Sequence, residues 1–232
     1  MTPSEKLFEL ARGPMIDEKH NCKKEKEEFL KLLSQGADVN YINPKGYFEL
    51  DSQYQEDCLF SAVTNHNYYI ASLLLKHGAK YDNSLYGYCE HGYNVLGALY
   101  DIFSFDYFDE KDKSQAKVLF NYVFDKAVKD NNYEAIMTLY EHHSSLPKEY
   151  FEKILSVDNG ICFYKNEVGT TFLELAVDNE DIDIIKLLIQ NGAKANNEII
   201  ENYKSYKNFM KENQDKYILN LLHDNLEDEQ TM

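Results

Sequence analysis

IASLLLKHGAKYD, residues 70–82, is the stretch that decides the fold. Its apolar residues recur at helical spacing and bury one face, and the Gly that follows takes the left-handed conformation that closes a helix. The same arrangement stands at FLKLLSQGADVN, residues 29–40, and at IIKLLIQNGAKAN, residues 184–196. Each copy therefore predicts a helix with a sharp exit, at Gly36, Gly78 and Gly192. Leu74 and Leu187 fall on the predicted buried faces. Self-similarity of this kind marks a repeat architecture, in which one supersecondary unit buries its apolar face only by stacking on the next.

A second, shorter helix precedes each of these. Sixteen residues before Gly78 lie Ala62 and Val63 in CLFSAV, and sixteen before Gly192 lie Ala176 and Val177 in FLELAV. The same offset from His143 reaches Ala127 and Val128, which exposes a degenerate copy with Ile136, Leu139 and Tyr140 in its second helix. Small residues at this point let two antiparallel helices approach, and three polar residues make the turn between them.

These residues resemble the ankyrin repeat, a hairpin loop plus two antiparallel helices of about 33 residues. Residues 57–82 and 171–196 carry the resemblance best, and Gly169-Thr170-Thr171 matches the family's Gly-x-Thr lead-in. The departures are specific. The family's Pro is replaced by Cys58, Val95 and Phe172, its His by Phe60, Gly97 and Glu174, and its inter-helix Gly by His66, Asn131 and Glu180. What the resemblance implies is an all-α, ankyrin-like helical-hairpin solenoid of four to five irregular repeats with loop insertions. Its units divide as 1–40 (N-terminal capping helices and first repeat), 41–82 (repeat with insertion), 83–126 (irregular repeat with an aromatic and acidic insertion), 127–157 (degenerate repeat), 158–196 (repeat) and 197–232 (C-terminal capping helices and acidic tail).

The ends read as caps. Thr2-Pro3-Ser4-Glu5 is a capping box with Pro at the first helical position, opening a helix that runs to Ala11 before Gly13-Pro14. In 197–222, Ile199, Ile200, Tyr203, Phe209, Ile218, Leu219 and Leu222 form the inward face of one or two helices. Insertions break the period at 41–56 and 101–113, where a second helix is expected to resume over 114–124. In stacked arrays insertions fall on one face, often the binding face.

Composition excludes some functions. With 24 Lys plus Arg against 40 Asp plus Glu, the formal charge is −16. Nucleic-acid affinity comes largely from cationic side chains releasing counterions, so no nucleic-acid partner is expected. The longest apolar stretch, 68–75, holds eight residues. A bilayer needs about 20, so no membrane partner is expected. The N-terminal segment lacks the apolar core of a signal peptide, and the four cysteines, Cys22, Cys58, Cys89 and Cys162, form no Cys-x-x-Cys pair. Reduced thiols and a cytoplasmic location are expected.

No chemistry is expected either. Cys89-Glu90-His91 and His20-Asn21-Cys22 bring Cys near His without the third group that orients a base. His142-His143 offers two ligands where structural zinc wants four. The run from Asp178 to Asp183 resembles the start of a calcium loop but lacks the Gly at its sixth position and falls on an inter-helix turn. No catalytic residue, metal, cofactor or small-molecule substrate follows from the sequence.

The partner-binding candidates are Glu49, Asp51, Tyr54, Glu56, Tyr86, Tyr88, Tyr93, Phe105, Tyr107, Phe108 and Asp109. Rings in this number either fill the extra volume around an insertion or give a rigid contact area for a protein partner. The clustered acids either keep the surface solvated or attract a basic partner. Together with the resemblance they predict a non-enzymatic module that binds a protein with a basic surface through hairpin tips, inner helices and insertions. The alternative is an acidic immunity-type inhibitor that plugs a basic toxin or enzyme, and a third reading is an enzyme built on residues 81–125, which mutation of Cys89 and His91 would test. The Lys, Asn, Ile and Tyr bias suggests an AT-rich genome, and the irregular repeats resemble those of bacterial effectors delivered to a host cytosol or of large DNA viruses.

Overall fold

A computed structural model describes residues 1–13, 22–44, 56–81, 94–106, 108–143, 145–206 and 214–226. Among these the fold is all-α, with twelve helices and a single pair of two-residue strands. The chain divides into two compact units, 1–127 and 128–232.

In the first unit, α1 (Pro3–Arg12) opens on the predicted capping box. Thr2 Oγ1 accepts from the Glu5 amide at 3.2 Å, and Glu5 Oε2 accepts from the Thr2 amide at 2.6 Å. Leu7, Phe8 and Ala11 turn inward. α2 (Cys22–Ser34) buries Phe29 and Leu32 and ends at Gly36, φ 87°. Strands β1 (Ile42–Asn43) and β2 (Glu56–Asp57) pair antiparallel, with Ile42 opposite Asp57. Asp57 then caps α3 (Cys58–Thr64), its carboxylate accepting from the Phe60 amide at 2.8 Å. The caps of α4 (Tyr68–Lys76) and α5 (Val95–Ser104) are Asn67 and Asn94, both buried. α1 packs on α2 and α3, α2 on α4, and α3 on both α4 and α5. Asn40 ties the segment after α2 to the segment after α4, since its Oδ1 accepts from the Lys80 amide at 2.7 Å.

α6 (Glu110–Lys129) is one helix of 20 residues. The spacing predicts a second helix over 114–124, and the helix is longer at both ends, running through Lys129. The segment 114–129 contains no Gly or Pro to interrupt it, and Ala116, Phe120, Val123, Phe124 and Ala127 keep a continuous buried stripe.

The second unit contains α7 (Tyr133–His143), α8 (Lys148–Leu155), α9 (Phe172–Asp178), α10 (Ile182–Gln190), α11 (Asn197–Tyr206) and α12 (Gln214–His223). A turn around Gly169, φ 93°, with Lys165 opposite Thr171, leads into α9, which Thr171 and Glu174 open with a second capping box. α9 packs on α7, α10 and α11, and α8 packs on α10. α8 has no counterpart in the repeat spacing. Pro147 starts it and Phe151 and Ile154 give it a one-sided apolar stripe. The predicted inward residues Ile199, Ile200, Tyr203, Ile218 and Leu222 are buried, Leu219 is half-buried, and Phe209 lies outside the described residues. Leu187 is half-buried, whereas its neighbour Leu188 is fully buried.

The turns repeat in atomic detail. Where the resemblance calls for glycine between helices, His66, Asn131 and Glu180 have φ values of 60°, 52° and 55°. They are the positive-φ residues other than glycine among the described residues. In each the left-handed residue's amide donates to the carbonyl three back, Val63, Val128 and Val177. The second-helix exits match as well: the amides of Ala37, Ala79 and Ala193 donate to the carbonyls of Leu32, Leu74 and Leu188 at 3.0 Å each. This is the glycine-closed helix terminus read from the sequence, three times over.

Candidate partner-binding surface

Of the eleven candidate residues, Glu49, Asp51, Tyr54, Tyr86, Tyr88, Tyr93 and Tyr107 lie outside the described residues. Four are described, and they do not share one environment.

Glu56 is not on an open acidic face. It is 3% exposed, held in β2 immediately before the α3 cap. Burial pushes its carboxyl above the usual range, with the Ser61 hydroxyl and the Arg12 guanidinium pulling the other way. The sequence signal, an acidic run with no base nearby, says nothing of pairing between 42–43 and 56–57, which is what takes Glu56 out of water.

Phe105, Phe108 and Asp109 stand at the crossing from α5 to α6. Phe105 is 43% exposed, beyond the last turn of α5. Asp109 is exposed but also structural: its Oδ1 accepts from the Asp112 amide at 2.8 Å, capping α6. Phe108 is half-buried, its ring centroid 5.4 Å from that of His66. Around them Asp106 and Glu110 are open to water, and both approach Lys113 Nζ, at 3.6 and 3.3 Å. Exposed pairs of this kind hold charge in place without contributing much stability.

Beneath this rim lies a polar contact the sequence does not advertise. His66 Nδ1 sits 2.8 Å from Asp112 Oδ2, with Asp112 only 5% exposed. Tyr68 closes the group, and its phenol is pushed up by burial first and then by the charges of Asp112 and Asp109. The pair fastens the α3–α4 turn to the first turn of α6, across 46 residues of sequence. The departure of His66 from glycine is the signal that pointed to something at this position.

The other described rings between 81 and 108 fill space. Tyr81 is buried with Lys126 Nζ 5.5 Å from its ring centre, and Tyr100 and Phe103 lie against Phe120 at 5.7 and 5.0 Å between centroids. Both thiols among the described residues that the core holds are drawn away from reactivity. Cys58 is pushed up to about 12 by burial and by Asp57, and Cys162 is raised by burial. The run from Asp178 to Asp183 spans the end of α9, the left-handed Glu180 and the α10 cap Asp181, whose carboxylate accepts from the Ile184 amide at 3.3 Å. Among the described residues no helix is long and apolar enough to cross a membrane.

No family model matches the chain, and no curated protein matches its sequence.

Proposed function

We propose that the chain is a non-enzymatic recognition module, a solenoid of irregular ankyrin-like helical hairpins that binds a protein partner with a basic surface. The observation that carries the reading is the recurrence of two turns in one order. A left-handed residue between helices, His66 or Glu180, is followed by a glycine-closed exit at Gly78 or Gly192 twelve residues later, and the Asn131 turn repeats the first half. Equivalent layers at equivalent spacing are what a stacked repeat requires, and stacked repeats present extended surfaces suited to protein partners. The chain's −16 charge favours a basic partner and speeds its encounter. Phe105, Asp106 and Glu110 supply an exposed aromatic and acidic rim for it. Cytoplasmic action accords with this role.

The test is affinity capture with the full chain at low and high salt, comparing wild type with Asp106→Lys/Glu110→Lys. Asp109 is left intact because it caps α6. A specific partner whose capture fails in the double variant and slows steeply with salt is the expected result. Capture indifferent to both rejects the acidic rim. An inhibitor of a basic enzyme would in addition abolish that enzyme's activity on binding.

A further inference from the structure

The β1–β2 ribbon buries a carboxyl that takes no part in the proposed acidic rim. Glu56, in β2, is 3% exposed, and its Oε1 completes no hydrogen bond among the described residues. It forms no ion pair with a described Lys or Arg. Ser61 Oγ, fully buried on α3, likewise completes no hydrogen bond among them. The groups that face the carboxyl are Arg12 and Glu9 from α1, Asp57 beside it on β2, and Ser61 and the Cys58 thiol from α3. β1 adds no charge, since Asn43 stands opposite Glu56. One cation therefore opposes two acids and the loss of water, and burial above all makes the carboxyl keep its proton beyond its ordinary value of 4.5.

The ribbon around this carboxyl is slight. Each strand is two residues long, Ile42 is 41% exposed, and Cys58 Sγ reaches the Tyr41 carbonyl at 3.7 Å. A segment with few bonds and exposed edges opens at lower cost than the whole unit unfolds. Opening that returns Glu56 to water is linked to its proton, because the closed ribbon binds that proton more tightly than the open one. Closure is therefore complete below 4.5 and is lost as pH rises through the higher value of the closed ribbon.

We propose that the β1–β2 ribbon is a proton-controlled latch, closed on α3 while Glu56 is protonated and opening locally, with the helices still packed, once Glu56 ionises. The latch stands on the burial of Glu56 and holds whether or not a partner binds.

The experiment is amide hydrogen exchange of the full, ¹⁵N-labelled chain, read by NMR from below pH 4.5 to neutrality, with each rate divided by that of an unstructured peptide at the same pH. Protection at 42–43 and 56–57 should be constant in acid and then fall by up to about tenfold per pH unit as Glu56 ionises. At every pH it should lie below that of the Ala79 amide, which closes α4 on the Leu74 carbonyl and reports unfolding of the whole unit. It should also resist dilute urea, because local opening exposes little surface, whereas Ala79 should respond. Glu56→Gln should keep the ribbon closed and make its protection independent of pH. Arg12→Gln removes the cation that favours the carboxylate and should open the ribbon further at neutral pH, while Arg12→Lys should match wild type. Ribbon protection equal to that of Ala79 in size and urea response would overturn the proposal, and so would a pH dependence that survives Glu56→Gln. If Glu56→Gln does not fold, the Arg12 variants decide: opening at neutral pH that is the same in Arg12→Gln as in wild type rejects the latch.

Discussion

Gly78→Ala and Glu180→Gly should move stability in opposite directions. Gly78 has φ 90°, and a Cβ built on it meets nothing within 4 Å, so the alanine is penalised by backbone conformation alone. The left-handed conformation costs an L-residue about 1–2 kcal/mol. Alanine also narrows the unfolded ensemble and recovers about 0.4–1 kcal/mol, which leaves a net loss of about 1 kcal/mol. Gly192→Ala, φ 103°, should lose a similar amount. Its Cβ would lie 3.3 Å from Phe163 Cζ, but that ring is 59% exposed and can swing aside. Glu180, φ 55°, already bears the same penalty. Replacing it with Gly relieves about 1–2 kcal/mol and gives back about 0.5–1 kcal/mol in entropy, for a net gain of about 0.5 kcal/mol. Thermal unfolding followed by far-UV circular dichroism has the resolution, because 1 kcal/mol shifts Tm by about 2–4 °C in a chain of this size. A neutral Gly78→Ala, or a Glu180→Gly that destabilises by more than about 1 kcal/mol, contradicts the assignment of these residues to equivalent left-handed turns.

Further outcomes follow from particular contacts. His66→Gly removes the same backbone penalty as Glu180→Gly yet should destabilise, by about 1–3 kcal/mol in urea titrations, because Asp112 is left buried without its ring nitrogen. Leu74→Ala and Leu188→Ala, both at fully buried sites, should cost about 2–5 kcal/mol. Leu187→Ala, half-buried, should cost distinctly less by the same denaturation assay. Glu56 holds its proton more tightly when folded than its ordinary value of 4.5. Its contribution is therefore complete below that value and is lost as pH rises through the folded pKa. Glu56→Gln should accordingly stabilise the chain at neutral pH and have no such effect in acid, and a gain independent of pH would show that the carboxyl titrates normally.

Most of the helices are legible in sequence because the forces that set them are local. Thr2 and Glu5 reach each other within one turn, Gly36, Gly78 and Gly192 close helices through amides a few residues away, and apolar spacing marks the buried faces. Even the positions of His66, Asn131 and Glu180 follow from counting back from the exits. α8 was legible in principle, since Pro147, Phe151 and Ile154 announce it, but repeat spacing gave no place for it.

What the tertiary structure alone decided is which of these local pieces share an environment. The burial of Glu56 depends on strand pairing across 42–43 and 56–57, and the fate of an acidic run cannot be read until its partner strand is known. The His66–Asp112 contact joins residues whose individual motifs, a helix turn and a helix cap, are complete without each other. α6 extends beyond the expected 114–124 because its buried stripe runs from Ala116 to Val128. Local hydrogen bonding and periodicity fix where helices start and stop. Only packing fixes which carboxylates are removed from water and which remain in it, because desolvation is a property of neighbours distant in sequence.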